Sequence, residues 1–287
     1  MDSHGRQIFA LNYSTISFIA LRSNFVWKKR KGDKYHIGNN NRYNRRGKTM
    51  RIRKSLLIWA VFLFLGSIIS IFLHECAHGL GSHIEGIHVS TGFNRIGDAG
   101  KRPSDPDFRE NLSFQRGKIV GDLSGPILNW MLAIFFTVLL YLKTNSDWLA
   151  LVYGATSLSN SLARLIPMGN FFLGASMGNL VVEDEVSAGI LTIEDLKFPL
   201  SFSELRALTE TRPEFFLSQP KIYILPVLSF SLAVTCLIFT YSRLCRLYRK
   251  EFSSLFSRML FALMPILVGP LVLVLTHWLD NIIRINW

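Results

Sequence analysis

The stretch "ISIFLHECAHGLGSHIEG", residues 69–86, decides how this chain is read. It closes an almost uncharged run that starts at Leu56, and it sets His74, Glu75 and His78 at the end of that run. An ionisable side chain near the middle of a bilayer costs on the order of 2.5–3.5 kcal/mol on insertion scales, so such groups are rarely kept without use. The first question is whether a membrane is there at all.

Of the 287 residues 49% are hydrophobic and 13% aromatic, and the apolar residues are gathered into windows. Four are clear: Leu56 to Leu73, Ile119 to Leu142, Ile222 to Tyr241 and Met259 to His277. A fifth, Trp148 to Met168, is interrupted by Asn160, Ser161 and Arg164. At about 1.5 Å of rise per residue, each window is long enough, or nearly so, to cross a hydrocarbon core of about 30 Å. The expected fold is an all-α polytopic membrane protein with about five transmembrane helices. Within it, a three-helix catalytic core carries a small polar loop or hairpin between its first two helices.

The formal net charge of +12 belongs to one segment. Residues 1–54 hold 14 Lys and Arg against Asp2 and Asp33, and the remaining basic and acidic side chains balance at 18 each. The segment "KKRKGDKYHIGNNNRYNRRGK" is polar and Asn-rich, so residues 1–54 read as a disordered tail. A solvated cytoplasmic anchor obeying the positive-inside rule explains it, with anionic lipid or RNA binding as the alternative. Nucleic acid is not the expected partner. Met50 followed by "RIRKSLLIW" has the form of an ordinary membrane-protein start, and residues 7–21 lack a small-residue cleavage site. Cys76, Cys236 and Cys245 form neither a disulfide framework nor a cysteine zinc cluster.

Residues 55–198 read as the membrane core, and 199–287 as an amphipathic helix followed by two C-terminal spans. Gly79 and Gly81 offer the means to end the first helix. Residues 82–118 are polar and Gly-rich, with β-rich runs such as "GIHVSTGF" that suggest a surface hairpin. Asp122 or Ser124 is positioned to cap the second helix, which has Pro126 in its first turn. After Pro167, "MGNFFLGASMGNLVV" has the composition of a broken or re-entrant piece. "EDEVSAGILTIEDLKF" and "SFSELRALTE" read as short amphipathic helices. A cytoplasmic tail with five spans also puts the basic loop "SRLCRLYRKEFSSLFSR" inside.

Residues four apart on a helix differ by about 40° in azimuth, so His74 and His78 point the same way from successive turns. Two neutral imidazoles so placed can bind one Zn²⁺. Glu75, adjacent but not a ligand, can serve as general base toward a water that zinc acidifies. A third protein ligand is needed. His83 and His88 are near in sequence, although Ile84 stands where the longer metzincin pattern wants histidine. Glu183, Asp184 and Glu185 follow the third span, and the ends of the first and third spans share a side of the membrane whichever way the chain inserts.

These pieces resemble the site-2 protease family of intramembrane zinc metallopeptidases. "HECAH" at the end of a span is similar to the family's His-Glu-x-x-His, and Gly125, Pro126 and Asn129 in "SGPILNW" to its Gly-Pro-x-x-Asn. The resemblance covers about residues 55–190. It implies a zinc-dependent endopeptidase that cleaves in or near a transmembrane segment of a membrane-protein substrate, in a multi-pass protein of the cell membrane. One Zn²⁺ would be held by His74, His78 and Asp184, with Glu75 catalytic and Asn129 at the cleft, binding the substrate backbone. The family's Asn-x-x-Pro and following Asp-Gly are not kept: Arg164 stands in the asparagine's place, and Gly174 is followed by no nearby aspartate. Two other readings stay open. Glu185-Val186-Ser187-Ala188 resembles the Glu-x-x-Ala helix of gluzincin-type membrane proteases, and a non-catalytic pseudoprotease or transport protein could use the same site structurally.

Overall fold

A computed structural model describes residues 41–287, apart from 103, 111, 143–146, 250, 251 and 253. Helix α1 spans Asn41–Ile84. Strands β1 (Val89–Thr91), β2 (Ile96–Asp98) and β3 (Ser113–Phe114) follow it. Helices α2 (Val120–Leu142), α3 (Asp147–Ser176) and the short α4 (Asp184–Ile190) come next. The chain continues through β4 (Leu200–Ser201), α5 (Phe202–Thr211), α6 (Pro213–Leu217), α7 (Lys221–Leu247), α8 (Leu255–Asp280) and β5 (Ile285–Asn286). The expected disordered tail lies outside the described residues up to position 40, whereas residues 41–54 are helical and continue into the first span.

Four helices are long and apolar enough to cross a membrane: Lys54–Ile84 within α1, α2, α7 and α8. This is the architecture of a multi-pass, mostly helical membrane protein. The expected count of about five is not met, and the reason is compositional. Helix α3 has 30 residues, ample length for a crossing, but Ser157, Ser159, Asn160, Ser161 and Arg164 dilute its apolar content. All five are buried against the other helices. Leu57, Val61, Leu65, Phe135, Val138 and Val274, by contrast, face outward. Apolar outside with small polar groups inside is the pattern expected of helices packed in lipid, where association rests on close packing and interhelical hydrogen bonds.

Both terms are visible. Ser157, Thr137 and Thr240 join α3, α2 and α7 through hydroxyl contacts of 2.7, 2.9 and 3.1 Å. Such bonds average about 0.6 kcal/mol each, so they orient the helices more than they hold them. Trp59 of α1 stacks on Phe261 of α8 at 4.8 Å, and its indole N–H donates to the Phe261 carbonyl at 3.2 Å. Helix α1 crosses α2 where side chains are smallest. A Cβ on Gly81 would fall 2.7 Å from the Val120 carbonyl, and one on Gly121 would fall 2.7 Å from Ser82 Oγ.

The cap on α2 differs from expectation. Glu85, just beyond α1, accepts the backbone N–H groups of Val120 and Gly121, both at 2.9 Å. An anionic acceptor suits the orphan donors and positive end of a helix N-terminus. Asp122 instead accepts from Ser187 Oγ at 2.6 Å, and Ser124 donates to the Gly121 carbonyl at 3.0 Å. Helix α3 likewise corrects the re-entrant reading, since it runs unbroken through Pro167 as far as Ser176.

The polar loop does form a hairpin, β1 with β2, but a third strand completes it. Strand β5, after α8, pairs antiparallel with β1 through Ser90–Asn286 and Thr91–Ile285. Asp280 accepts the Asn94 backbone N–H at 2.9 Å and pairs with Arg95. The ends of α1 and α8 therefore share one end of the bundle, together with the start of α2 and, through Gly189 against Ile222, the start of α7. A small β3–β4 ribbon follows the same loop.

Candidate metal centre

The site is built where α1, α2 and the α3–α4 connection meet. His74 and His78 sit one turn apart on α1, both buried, with imidazole centroids 4.5 Å apart and rings nearly perpendicular. Asp184, at the start of α4, reaches both. Its Oδ2 lies 3.2 Å from His74 Nε2 and 3.4 Å from His78 Nε2, and the two Nε2 atoms are 3.0 Å apart. His74, His78 and Asp184 could hold a metal ion, and they are the one such cluster among the described residues.

The donor set fits a metal on two grounds. A tetrahedral site with bonds of about 2.0–2.1 Å has ligand–ligand edges of about 3.3–3.4 Å, close to the triangle seen here. The proton positions agree. His78 Nδ1–H donates to the Gly121 carbonyl at 2.6 Å, which leaves the Nε2 lone pair facing the other two donors. Electron pairs converging at such distances repel unless a cation or a proton shares them. Asp184 supplies the charge: burial alone would raise its carboxyl, but the Arg164 guanidinium, 3.0 Å from Oδ2, favours the ionised form.

Helix α2 is shaped around the two rings. A Cβ on Gly125 would fall 2.6 Å from His74 Cε1 and 2.7 Å from His74 Nδ1, and would strike His78 Nε2 as well. The Gly-Pro pair therefore marks where α2 passes directly over the imidazoles. One turn further, the buried Asn129 meets His74 Nδ1 with its amide at 3.2 Å, while its Oδ1 has no partner. A half-turn of that amide presents Oδ1 to a His74 Nδ1–H, fixing the tautomer whose Nε2 is free for a metal. The residue expected at a substrate cleft thus stands against a candidate ligand.

The alternatives for the third ligand lie outside this triangle. Glu185 is fully buried and binds Arg164 Nη1 at 3.3 Å and Ser229 Oγ at 2.6 Å, away from the imidazoles. His83 and His88 face each other at 6.4 Å, outside the cluster, and Glu183 is not part of it. Glu75 is buried beside the histidines, and among the described residues its carboxylate accepts no hydrogen bond.

The sequence reading missed Arg164 as a site residue. Its guanidinium is buried, 3.0 Å from Asp184 Oδ2 and 3.3 Å from Glu185, with Nη2 reaching to 3.5 Å of His74 Nε2. The signal was present, since a charged residue inside an apolar window raises the same question as His74 does. A scan against protein-family models finds no match, and searches of curated proteins and of solved structures find none either.

Proposed function

We propose that this chain is a zinc-dependent intramembrane endopeptidase, of the kind the site-2 protease resemblance implies, acting on a peptide bond in or near a transmembrane segment of a membrane-protein substrate in the cell membrane. One observation carries the reading: two imidazole nitrogens and a carboxylate oxygen converge as a triangle with 3.0, 3.2 and 3.4 Å edges. Nitrogen-rich donors at tetrahedral spacing suit zinc better than magnesium or calcium, which prefer oxygen ligands and higher coordination. Three protein ligands leave a fourth position open, as a catalytic site requires.

When bound, zinc supplies Lewis acidity toward a water and the scissile carbonyl. The remaining work falls to this chain's residues. Glu75 takes a proton from the attacking water and returns it to the leaving nitrogen as the C–N bond breaks. The Gly121 carbonyl and Asn129 hold the two imidazoles in the tautomers that present Nε2. Helix α3 completes the bundle as a fifth crossing, its buried hydroxyls and amide giving the interior the polarity that water needs to reach the site.

A second reading has an observation of its own. Arg164 pairs with Asp184, so a cation already stands beside the ligands, as a non-catalytic membrane protein with a structural site would allow. Purified protein incubated with fluorogenic transmembrane peptides in detergent micelles separates the two. Hydrolysis that a chelator stops and zinc restores supports the enzyme, and protein that binds stoichiometric zinc yet hydrolyses none of them refutes it.

A further inference from the structure

Arg164 has more donors than the protein uses. Nε donates to the Ala163 carbonyl at 2.9 Å, and Nη1 is shared between Asp184 at 3.0 Å and Glu185 at 3.3 Å. Among the described residues, Nη2 has one neighbour able to accept, His74 Nε2 at 3.5 Å. That lone pair is the one His74 would give to a metal. Once it is given, Nη2 is a buried, charged donor aimed at the site with nothing to receive it, and leaving such a donor unsatisfied costs about 1–3 kcal/mol or more. The acceptor it lacks must come from whatever occupies the site.

The guanidinium is also fixed in place. Glu185, which holds Nη1, is itself held by Ser229 Oγ at 2.6 Å, and Ser229 takes the Trp130 indole N–H at 3.0 Å. Helices α2, α4 and α7 thus support one charged group on α3. A donor locked in this way needs no reorganisation when charge develops before it, which is the condition for strong electrostatic stabilisation.

Resting on the endopeptidase reading above, we propose that Arg164 is a catalytic residue whose Nη2 binds the substrate's scissile carbonyl oxygen as that oxygen becomes an anion. Water adds to the carbonyl carbon while Glu75 takes its proton. The C=O π pair moves onto the oxygen, where Nη2–H donates to it. The pair returns as the C–N bond breaks, and the proton held by Glu75 leaves with the amine. The charge Arg164 meets exists only in the tetrahedral species, so its contribution falls on kcat rather than on ground-state binding.

The experiment uses Arg164→Lys, which keeps a cation for Asp184 and Glu185 but withdraws Nη2, at zinc occupancy matched to wild type. The readouts are hydrolysis of fluorogenic transmembrane peptides and the binding of a phosphinic peptide, an anionic mimic of the tetrahedral species. Loss of about a hundredfold in both kcat and phosphinic affinity, with KM within about threefold, is the expected result. Values of kcat and phosphinic affinity within about threefold of wild type overturn the proposal. Should the lysine variant lose zinc, Arg164→Ala in excess zinc replaces it. Phosphinic binding restored by methylguanidinium then supports the role, and failure to restore it with zinc bound overturns it. Wild type is assayed beside Glu75→Gln first: absence of Glu75-dependent hydrolysis sinks the endopeptidase reading itself, whereas wild-type rates in Arg164→Lys sink only the role of Arg164.

Discussion

Gly125→Ala tests whether α2 is shaped around a metal centre. The added Cβ would sit 2.7 Å from His74 Nδ1, about 0.7 Å short of the 3.4 Å at which ordinary contact begins, and it would strike His78 Nε2 too. Relief requires one or both imidazoles to retreat by most of that distance, several times the tolerance of about 0.2 Å on metal–ligand bonds. Overpacking alone costs about 1–3 kcal/mol, so a loss of stability would not be diagnostic. Gly154→Ala is the control, because its Cβ would meet Leu244 Cδ1 at the same 2.7 Å on α3, against α7 rather than the imidazoles. Both variants should unfold at lower temperature by similar amounts, while only Gly125→Ala should bind zinc at least tenfold more weakly by competition with a chromogenic chelator. Zinc affinity equal to wild type in Gly125→Ala would refute the reasoning.

Three further outcomes follow from the same geometry. Asp184→Asn should lower zinc occupancy more than Glu183→Gln or Glu185→Gln, measured by elemental analysis of purified protein; equal occupancy in all three would return the third ligand to His83 or His88. Asn129→Ala should weaken zinc binding about 10–100-fold by releasing His74; unchanged affinity would mean that Asn129 does not orient the ring. Glu185→Ala removes one of the two carboxylates that balance the buried Arg164, leaving Asp184 at 3.0 Å, and should cost about 1–3 kcal/mol of stability in detergent unfolding; a cost under about 0.5 kcal/mol would contradict the pairing.

The parts of this site written locally were legible in the sequence. His74 and His78 are one helical turn apart, so their shared face follows from helix geometry alone, and the apolar run before them announces the span. Asp184 was reachable only through topology, because nothing in its local pattern separates it from Glu183 or Glu185; the distinction is made by side-chain direction at the start of α4. Arg164 was read as an interruption of a span, although the residues that balance its charge are 20 and 21 positions away. The Glu85 cap on Val120 and the β1–β5 pairing join elements 35 to 196 residues apart, a distance over which composition and periodicity carry no information. Helix α3 covers the window expected to be a fifth crossing, but it is not among the four helices apolar enough to cross, because its inward polar residues lower the very hydropathy by which a span is recognised.

Hydrolysis by wild type and by Glu75→Gln, each carrying one zinc per chain and assayed on the same fluorogenic transmembrane peptides, tests the central claim most directly. Glu75 is not one of the three candidate ligands, so the variant should keep its zinc while losing the proton acceptor that activates water. The account predicts hydrolysis by wild type and at least a hundredfold less by Glu75→Gln at equal zinc. Equal rates in the two proteins would contradict it.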